Sequence, residues 1–424
     1  MSRRPSLLFV APIMPAQTGN GLAMRAGVFL DALARDFSVT LLVVPVAAGM
    51  TALGASRFVA ARTRRTVAVS LDGKLDSLWE LSSRVRDPAA RAAALAEYPR
   101  PAFCRYATKP CLDELRATFP GQRFDAIHVM RSYLAPYAAP FLSGASVTRA
   151  SLDLDDDEAL THRGLAVLAE RMGRSEEARL EAAEAAKYER HEAECLPRFG
   201  VLVACSADQA GRIALAQPES RVVIVPNTVR LPRRAIRRSG DTKRVLFVGN
   251  LSYLPNVEGI RSFALEVLPR VRAKLGGSVV LRIAGSSPGP EILALGSAPG
   301  VELVADPRDL AQDYASAELA VVPLHAGGGT RIKLLEAFAH GVPVVSTRAG
   351  ASGIAAEDRV HILLADSSEA FADGCAEILA DPRLGAGLAA NARELVEASY
   401  AHASAVRTIR DGLAVEVRAP ATRG

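Results

Sequence analysis

Residues 318–347 read ELAVVPLHAGGGTRIKLLEAFAHGVPVVST. Glu318 to Pro323 is short, apolar and β-branched, the pattern of a strand buried on both faces. Gly327, Gly328 and Gly329 then make a turn with no side chains in the way. Thr330 is placed to cap a helix running to about His340, Gly341 and Pro343 end it, and Val344–Ser346 opens the next strand. Strand, glycine turn, helix and strand form a βαβ unit, whose ligands bind at the carboxyl ends of strands, where this turn lies. Arg331 and Lys333 fall in the first helical turn, where a cation is unfavourable by about 0.3–1 kcal/mol unless an anion sits there. Exposed backbone N–H groups, the helix dipole and two cations together suit a diphosphate. Glu336, one turn after Lys333, suits either two ribose hydroxyls or a plain i,i+3 pair with the lysine.

The same alternation fills the chain. Strands are expected at Leu7–Ala11, Thr40–Val44, Ala126–Met130, Val201–Cys205 and Val222–Val225. A second series follows at Val245–Val248, Val279–Ala284, Leu319–Pro323, Val342–Ser346 and His361–Leu364. The fold class is therefore α/β, with two doubly wound, Rossmann-like domains. A basic stretch, RLPRRAIRRSGDTKR at 230–244, separates the series. It reads as a solvated linker, or alternatively as a patch for an anionic lipid surface. The expected organisation is residues 1–229, the linker 230–244, residues 245–400, and a C-terminal helix and tail over 401–424.

Composition narrows the function classes. Lys and Arg number 51 against 46 Asp and Glu, an excess too small to indicate nucleic-acid binding, and 5% aromatics leave no base-stacking platform. Five scattered cysteines without a C-x-x-C fit neither a disulfide framework nor a structural zinc, so a reducing cytoplasm is expected. The N-terminal apolar run is short and ends at prolines, so it reads as a first strand and not a signal peptide, and no run is long enough to span a membrane.

The 318–347 segment resembles the donor-binding cassette of family-4 retaining glycosyltransferases, in a bacterial branch with GGGTR-x-K, LEA and G-x-PVV-x-T. VLFVGNLSYLPNVEGIRSF, at 245–263, resembles the opening of that branch's C-terminal domain. The resemblance implies the GT-B fold, two domains facing a central cleft, and transfer of a hexose-type sugar from a UDP- or GDP-sugar. It also implies no covalent enzyme intermediate, no essential metal and no bound cofactor. It brings Asn250, Gly285 in the loop Arg282–Gly289, Asp306 near the base, and the cassette residues Gly328, Gly329, Thr330, Arg331, Lys333 and Glu336 to the donor. The first-domain loop Pro12–Gly21, with Gly19, Asn20 and Gly21, approaches the diphosphate or sugar in relatives. Here it also reads as a simple Gly/Asn helix start.

Two familiar phosphate cations are replaced by Asn250 and Asn256, and a familiar glutamate by Gly328. Arg331 and Lys333 are accordingly expected to supply the charge. Relatives often place a helpful histidine at a strand end, and the matching position here is Met130, two residues beyond His128. His128 is thus read either as catalytic or as a core residue, and Arg131 as a cleft-facing group. SLDLDDDE, at 151–158, crowds Asp153, Asp155, Asp156, Asp157 and Glu158 at a helix start. They read as carboxylates that stabilise a helix start or, since five exceed that need, as a place for a cation or a hydroxyl- or amine-bearing acceptor. Arg25, one turn after Gly21, is expected to reach the same anion as the Gly19–Gly21 loop and is counted with Asp153, Asp155 and Asp156 as an acceptor-side candidate. The break YPRPAF, at 98–103, lies in a segment of the kind that shapes acceptor pockets. A small-molecule, glycan or lipid-linked acceptor is open, with at most peripheral membrane contact. A non-catalytic sugar-nucleotide module and a sugar-nucleotide epimerase are the rival readings.

Overall fold

The computed structural model describes residues 4–46, 56–142, 149–232, 243–276, 279–328 and 331–414. The chain divides into two compact units. One holds the residues up to Asn227 together with those from Ala403 onward, and the other is Thr228–His402.

Unit 1 is built on β1 (Ser6–Ala11), β2 (Ser38–Val43), β3 (Thr63–Ala68), β4 (Ala126–Met130), β5 (Ala150–Asp153), β6 (Val201–Ala204) and β7 (Arg221–Ile224). Their order is β3-β2-β1-β4-β5-β6-β7, and every pairing is parallel. Leu8 and Val10 of β1 face one core, and Leu7, Phe9 and Ala11 face the other. That is how a continuous apolar run serves a sheet covered on both sides. β3 was not expected: its sequence, TRRTVA, is polar because it is a half-exposed edge strand, which carries no continuous apolar run.

Unit 2 holds β8 (Lys243–Asn250), β9 (Val279–Ser286), β10 (Val301–Ala305), β11 (Leu319–Val322), β12 (Val344–Ser346) and β13 (Leu363–Leu364). The order is β10-β9-β8-β11-β12-β13, again parallel throughout. β8 begins inside the basic stretch expected as linker; residues 233–242 of that stretch lie outside the described residues.

Seven helices matter below: α1 (Gly21–Leu33), α2 (Ala135–Leu142), α3 (Glu158–Arg171), α4 (Ser175–Cys195), α5 (Leu254–Ser262), α6 (Ile332–Ala339) and α7 (His402–Ala414). α7 packs into unit 1. Its Ala405, Val406 and Ile409 join the core beside β1, and Arg410 pairs with Asp36 at 2.8 Å. Among the described residues, no helix is long and apolar enough to cross a membrane.

Candidate functional site

In each sheet the strand order reverses once, between β1 and β4 and between β8 and β11. The carboxyl ends beside such a switch point form the natural ligand crevice of an open parallel sheet. In unit 2 that place is built from glycines. A Cβ on Gly285 would lie 1.8 Å from the Gly249 carbonyl oxygen, so the ends of β8 and β9 approach as only glycine allows. A Cβ on Gly249 would meet Asn256 Nδ2 and Lys333 Nζ, both at 2.9 Å.

Those two atoms define the centre of the site. Asn256, buried on α5, donates from Nδ2 to the Asn250 carbonyl at 2.7 Å and accepts at Oδ1 from Lys333 Nζ at 2.6 Å. A lysine ammonium can only donate and a carbonyl can only accept, so both ends of the amide are assigned by chemistry. Lys333 also lies 4.5 Å from the centre of the Phe247 ring. Its pKa is pushed down to about 7, first by burial and then by the charge of Arg331. Glu336 accepts from the Tyr314 hydroxyl at 3.0 Å, and burial raises its pKa against the pull of that bond and of Lys333. Lys333 and Glu336 therefore each bond to a different element, which the plain surface-pair reading did not anticipate.

Arg331 has a duty other than the anion contact expected of it. It is buried, and its Nη1 donates to the Gly328 carbonyl at 2.7 Å and its Nη2 to those of Gly327 at 2.5 Å and Ala326 at 3.4 Å. The guanidinium gathers carbonyls that the glycine turn leaves without a ladder, and so shapes the loop. Arg331 is also the cap residue of α6, and among the described residues no side chain caps that helix, so the cap lies one residue beyond the expected Thr330. Gly329 and Thr330 lie outside the described residues.

Other donor-side candidates brace loops. Asn250 Oδ1 accepts from the Ser252 amide and hydroxyl at 2.9 and 2.8 Å. Asp306 Oδ1 accepts from the Ser287 amide at 2.9 Å, and both residues are left-handed, with φ of 48° and 56°. In unit 1, Gly19 is left-handed at φ 98°, Asn20 caps α1 by accepting from the Leu22 amide at 2.9 Å, and Gly21 starts that helix.

The unit 1 charges resolve differently from expectation. Asp153 is fully buried and forms a two-pronged pair with Arg25, at 2.6 Å to Nη2 and 2.7 Å to Nε. Arg25 also lies 3.4 Å from Asp155 and donates to the Val225 carbonyl at 3.0 Å. Arg131 pairs with Asp155 and Glu158, both at 3.3 Å. Asp156 accepts from Thr161, and Asp157 caps α3 and pairs with Arg212 at 3.0 Å. The acidic run is thus matched by the chain's own arginines, and neither Asp153 nor Arg25 is open to an acceptor. Arg131 itself is strained, with φ 69° at the end of β4. His128 is a core residue: it is fully buried, stacked on Phe29 at 4.6 Å and bonded to Ser151 Oγ at 2.8 Å. Burial, then the charge of Arg25, pushes its pKa down to about 3, which keeps the ring neutral, and its burial leaves it no access to a substrate. His191 and Cys195 on α4 are half-buried and buried.

Residues 242–381 match the family model described as Glycosyl transferases group 1. Unit 2 is therefore a glycosyltransferase domain, and the chain carries an enzyme of that class. None of the curated proteins matches it in sequence. Among solved structures it is similar to sucrose-phosphate synthase from Thermosynechococcus elongatus, at 15% identity and TM-score 0.63, over 96% of this chain and 98% of that one. It is similar to HepE from Anabaena in complex with UDP and glucose, at 14% identity and TM-score 0.60, over 97% and 99%. It is similar also to the E. coli trehalose-6-phosphate synthase bound with UDP-2-fluoro glucose, at 12% identity and TM-score 0.62, over 98% and 99%. At such identities the likeness carries the fold, which is GT-B.

Proposed function

We propose that the chain moves a hexose-type sugar from a nucleotide-diphosphate donor, UDP- rather than GDP-linked, to a small-molecule, glycan or lipid-linked acceptor. The transfer proceeds in the cytoplasm with retention of configuration, and without a metal ion or bound cofactor. The observation that carries the reading is Lys333, a cation at the switch point of β8 and β11 held by the neutral amide of Asn256. A cation kept partly buried without a carboxylate bonded to it is costly, and a diphosphate offsets that cost. The first turn of α6, which follows the glycine loop beyond β11, adds backbone N–H groups of the kind that favour an anion. Resemblance to family-4 retaining enzymes supports retention and the absence of a metal. UDP in the HepE and E. coli structures supports the choice of base.

As the glycosidic bond to the donor breaks, negative charge builds on the leaving diphosphate. Lys333 and the first turn of α6 stabilise that charge, and a phosphate oxygen takes the acceptor proton. Glu336, with Tyr314 behind it, receives the ribose hydroxyls, and Arg331 keeps the glycine loop in shape. The test is thermal stabilisation by UDP, GDP, TDP and ADP beside NAD. Whatever binds only the folded state raises its stability, by about 2.7 kcal/mol at a hundredfold excess over Kd. A shift with UDP that is lost in Lys333→Ala is the expected result, and no shift with any nucleoside diphosphate would overturn the reading. A product with a new glycosidic bond excludes both the non-catalytic module and the epimerase.

A further inference from the structure

Unit 1 contains a cavity of about 310 Å³, at the lower end of the usual size of small-molecule sites. One wall is a stripe of α4 at helical spacing, Lys187, Arg190, His191 and Glu194, with Arg198 in the turn that follows. The facing walls are Arg100 between Pro99 and Pro101, within the YPRPAF break, and Ala135, Pro136 and Ala139 of α2.

The cations fall into two sets. Lys187 and Arg100 have internal partners: Lys187 bonds to Glu184 at 2.7 Å and to the Leu95 carbonyl at 2.9 Å, and Arg100 pairs with Asp76 at 2.5 Å. Arg190 and Arg198 are exposed and have no ion pair or hydrogen bond among the described residues, although Glu194 stands four residues from each. The cavity therefore offers a rigid apolar floor, two fixed cations and two uncommitted guanidinium forks, against one carboxylate. A packing void would be lined by apolar groups, whereas these forks match the geometry of phosphate oxygens. The cavity is also tied to the working end of the sheet. His191 Nε2 donates to the carbonyl of Ser132 at 2.8 Å, and Ser132 follows the strained Arg131 at the end of β4.

We propose that this cavity binds the phosphate-bearing end of the acceptor, a phosphomonoester or diphosphate whose remainder lies on the proline and alanine floor. As an anion site it is independent of the donor site, while its assignment to the acceptor rests on the glycosyl-transfer reading. The test is calorimetric titration of the full chain with inorganic pyrophosphate, with UDP present at saturation. Binding is expected to persist under UDP and to weaken by about tenfold or more in Arg190→Glu/Arg198→Glu. Ala139→Phe, which fills the cavity and leaves every charge in place, is expected to weaken it too, so either variant suffices if the other misfolds. Displacement of pyrophosphate by glucose 1-phosphate would mark a soluble sugar phosphate. Sedimentation with vesicles of equal parts phosphatidylcholine and phosphatidylglycerol, lost in Arg190→Glu/Arg198→Glu, would mark a lipid phosphate. No pyrophosphate binding to the wild type, or binding equal in both variants, would overturn the site. Failure of UDP to bind, with pyrophosphate binding still dependent on Arg190 and Arg198, would overturn only the donor reading.

Discussion

The glycine loop of unit 2 and the acidic run of unit 1 present the same signal in sequence, an excess of like charge where a strand gives way to a helix. In the folded chain they part. Each carboxylate from Asp153 to Glu158 has a partner within unit 1, chiefly Arg25, Arg131 and Arg212. Lys333 is held by an amide and an aromatic ring, neither of which carries a charge. A charge cluster points to a ligand when the fold bonds no counter-charge to it: Glu336 acts on Lys333 from one turn away but is bonded to Tyr314, so the glycine loop keeps the character of a candidate site while the acidic run is a clasp.

The contrast can be broken most forcefully at Arg25. Arg25→Met strands the fully buried Asp153, and a loss of about 3–5 kcal/mol is expected in urea unfolding at neutral pH. Arg25→Met/Asp153→Leu should recover much of it. A single variant as stable as wild type would show that the pair is no clasp.

Lys333→Ala should do the reverse. UDP affinity is expected to fall by about 1.5–3 kcal/mol, roughly ten- to over a hundredfold by calorimetry, with the unfolding midpoint little changed. Equal losses of stability and affinity would erase the distinction between the two regions.

The pH dependence sharpens it further. With its unliganded pKa at about 7, Lys333 is charged below that value and neutral above it, while a bound diphosphate favours the charged form. Binding therefore takes up a proton. Affinity for UDP should be full below pH 7 and should then decline by up to about tenfold per pH unit until the bound-state pKa is passed. Lys333→Arg, which stays charged, should give a flat profile.

The smallest effect is expected at Gly249. The nearest atoms a methyl group there would meet belong to side chains, Asn256 Nδ2 and Cγ at 2.9 and 3.2 Å and Lys333 Nζ at 2.9 Å, and not to backbone. Gly249→Ala should weaken UDP binding by about 1 kcal/mol and leave the fold intact. Unchanged binding would mean that the position of the lysine nitrogen is not critical.

Much of this architecture was readable along the chain because a parallel strand buried on both faces is a local apolar run. The helix after the glycines was readable for a related reason, since glycines, charge and apolar spacing lie within a few consecutive residues, although its cap is Arg331 and not the expected Thr330. β3 escaped because an edge strand needs no such run. The clamp formed by Arg331 on carbonyls of the loop escaped because the direction of a long side chain is not written in its spacing. His128 carried both of its readings until burial between Phe9 and Phe29 removed the catalytic one.

The sequence by itself determined that the chain is α/β, that it has two series of parallel strands, and that the second carries a glycine turn opening a cationic helix. Periodicity and backbone freedom act over neighbouring residues, so they survive in one dimension. Only the tertiary structure decided which charges are spent. Arg25 finds Asp153 across 128 positions, and Lys333 finds Asn256 across 77. The energy of an ion pair depends on distance and burial, and both are properties of the packed chain.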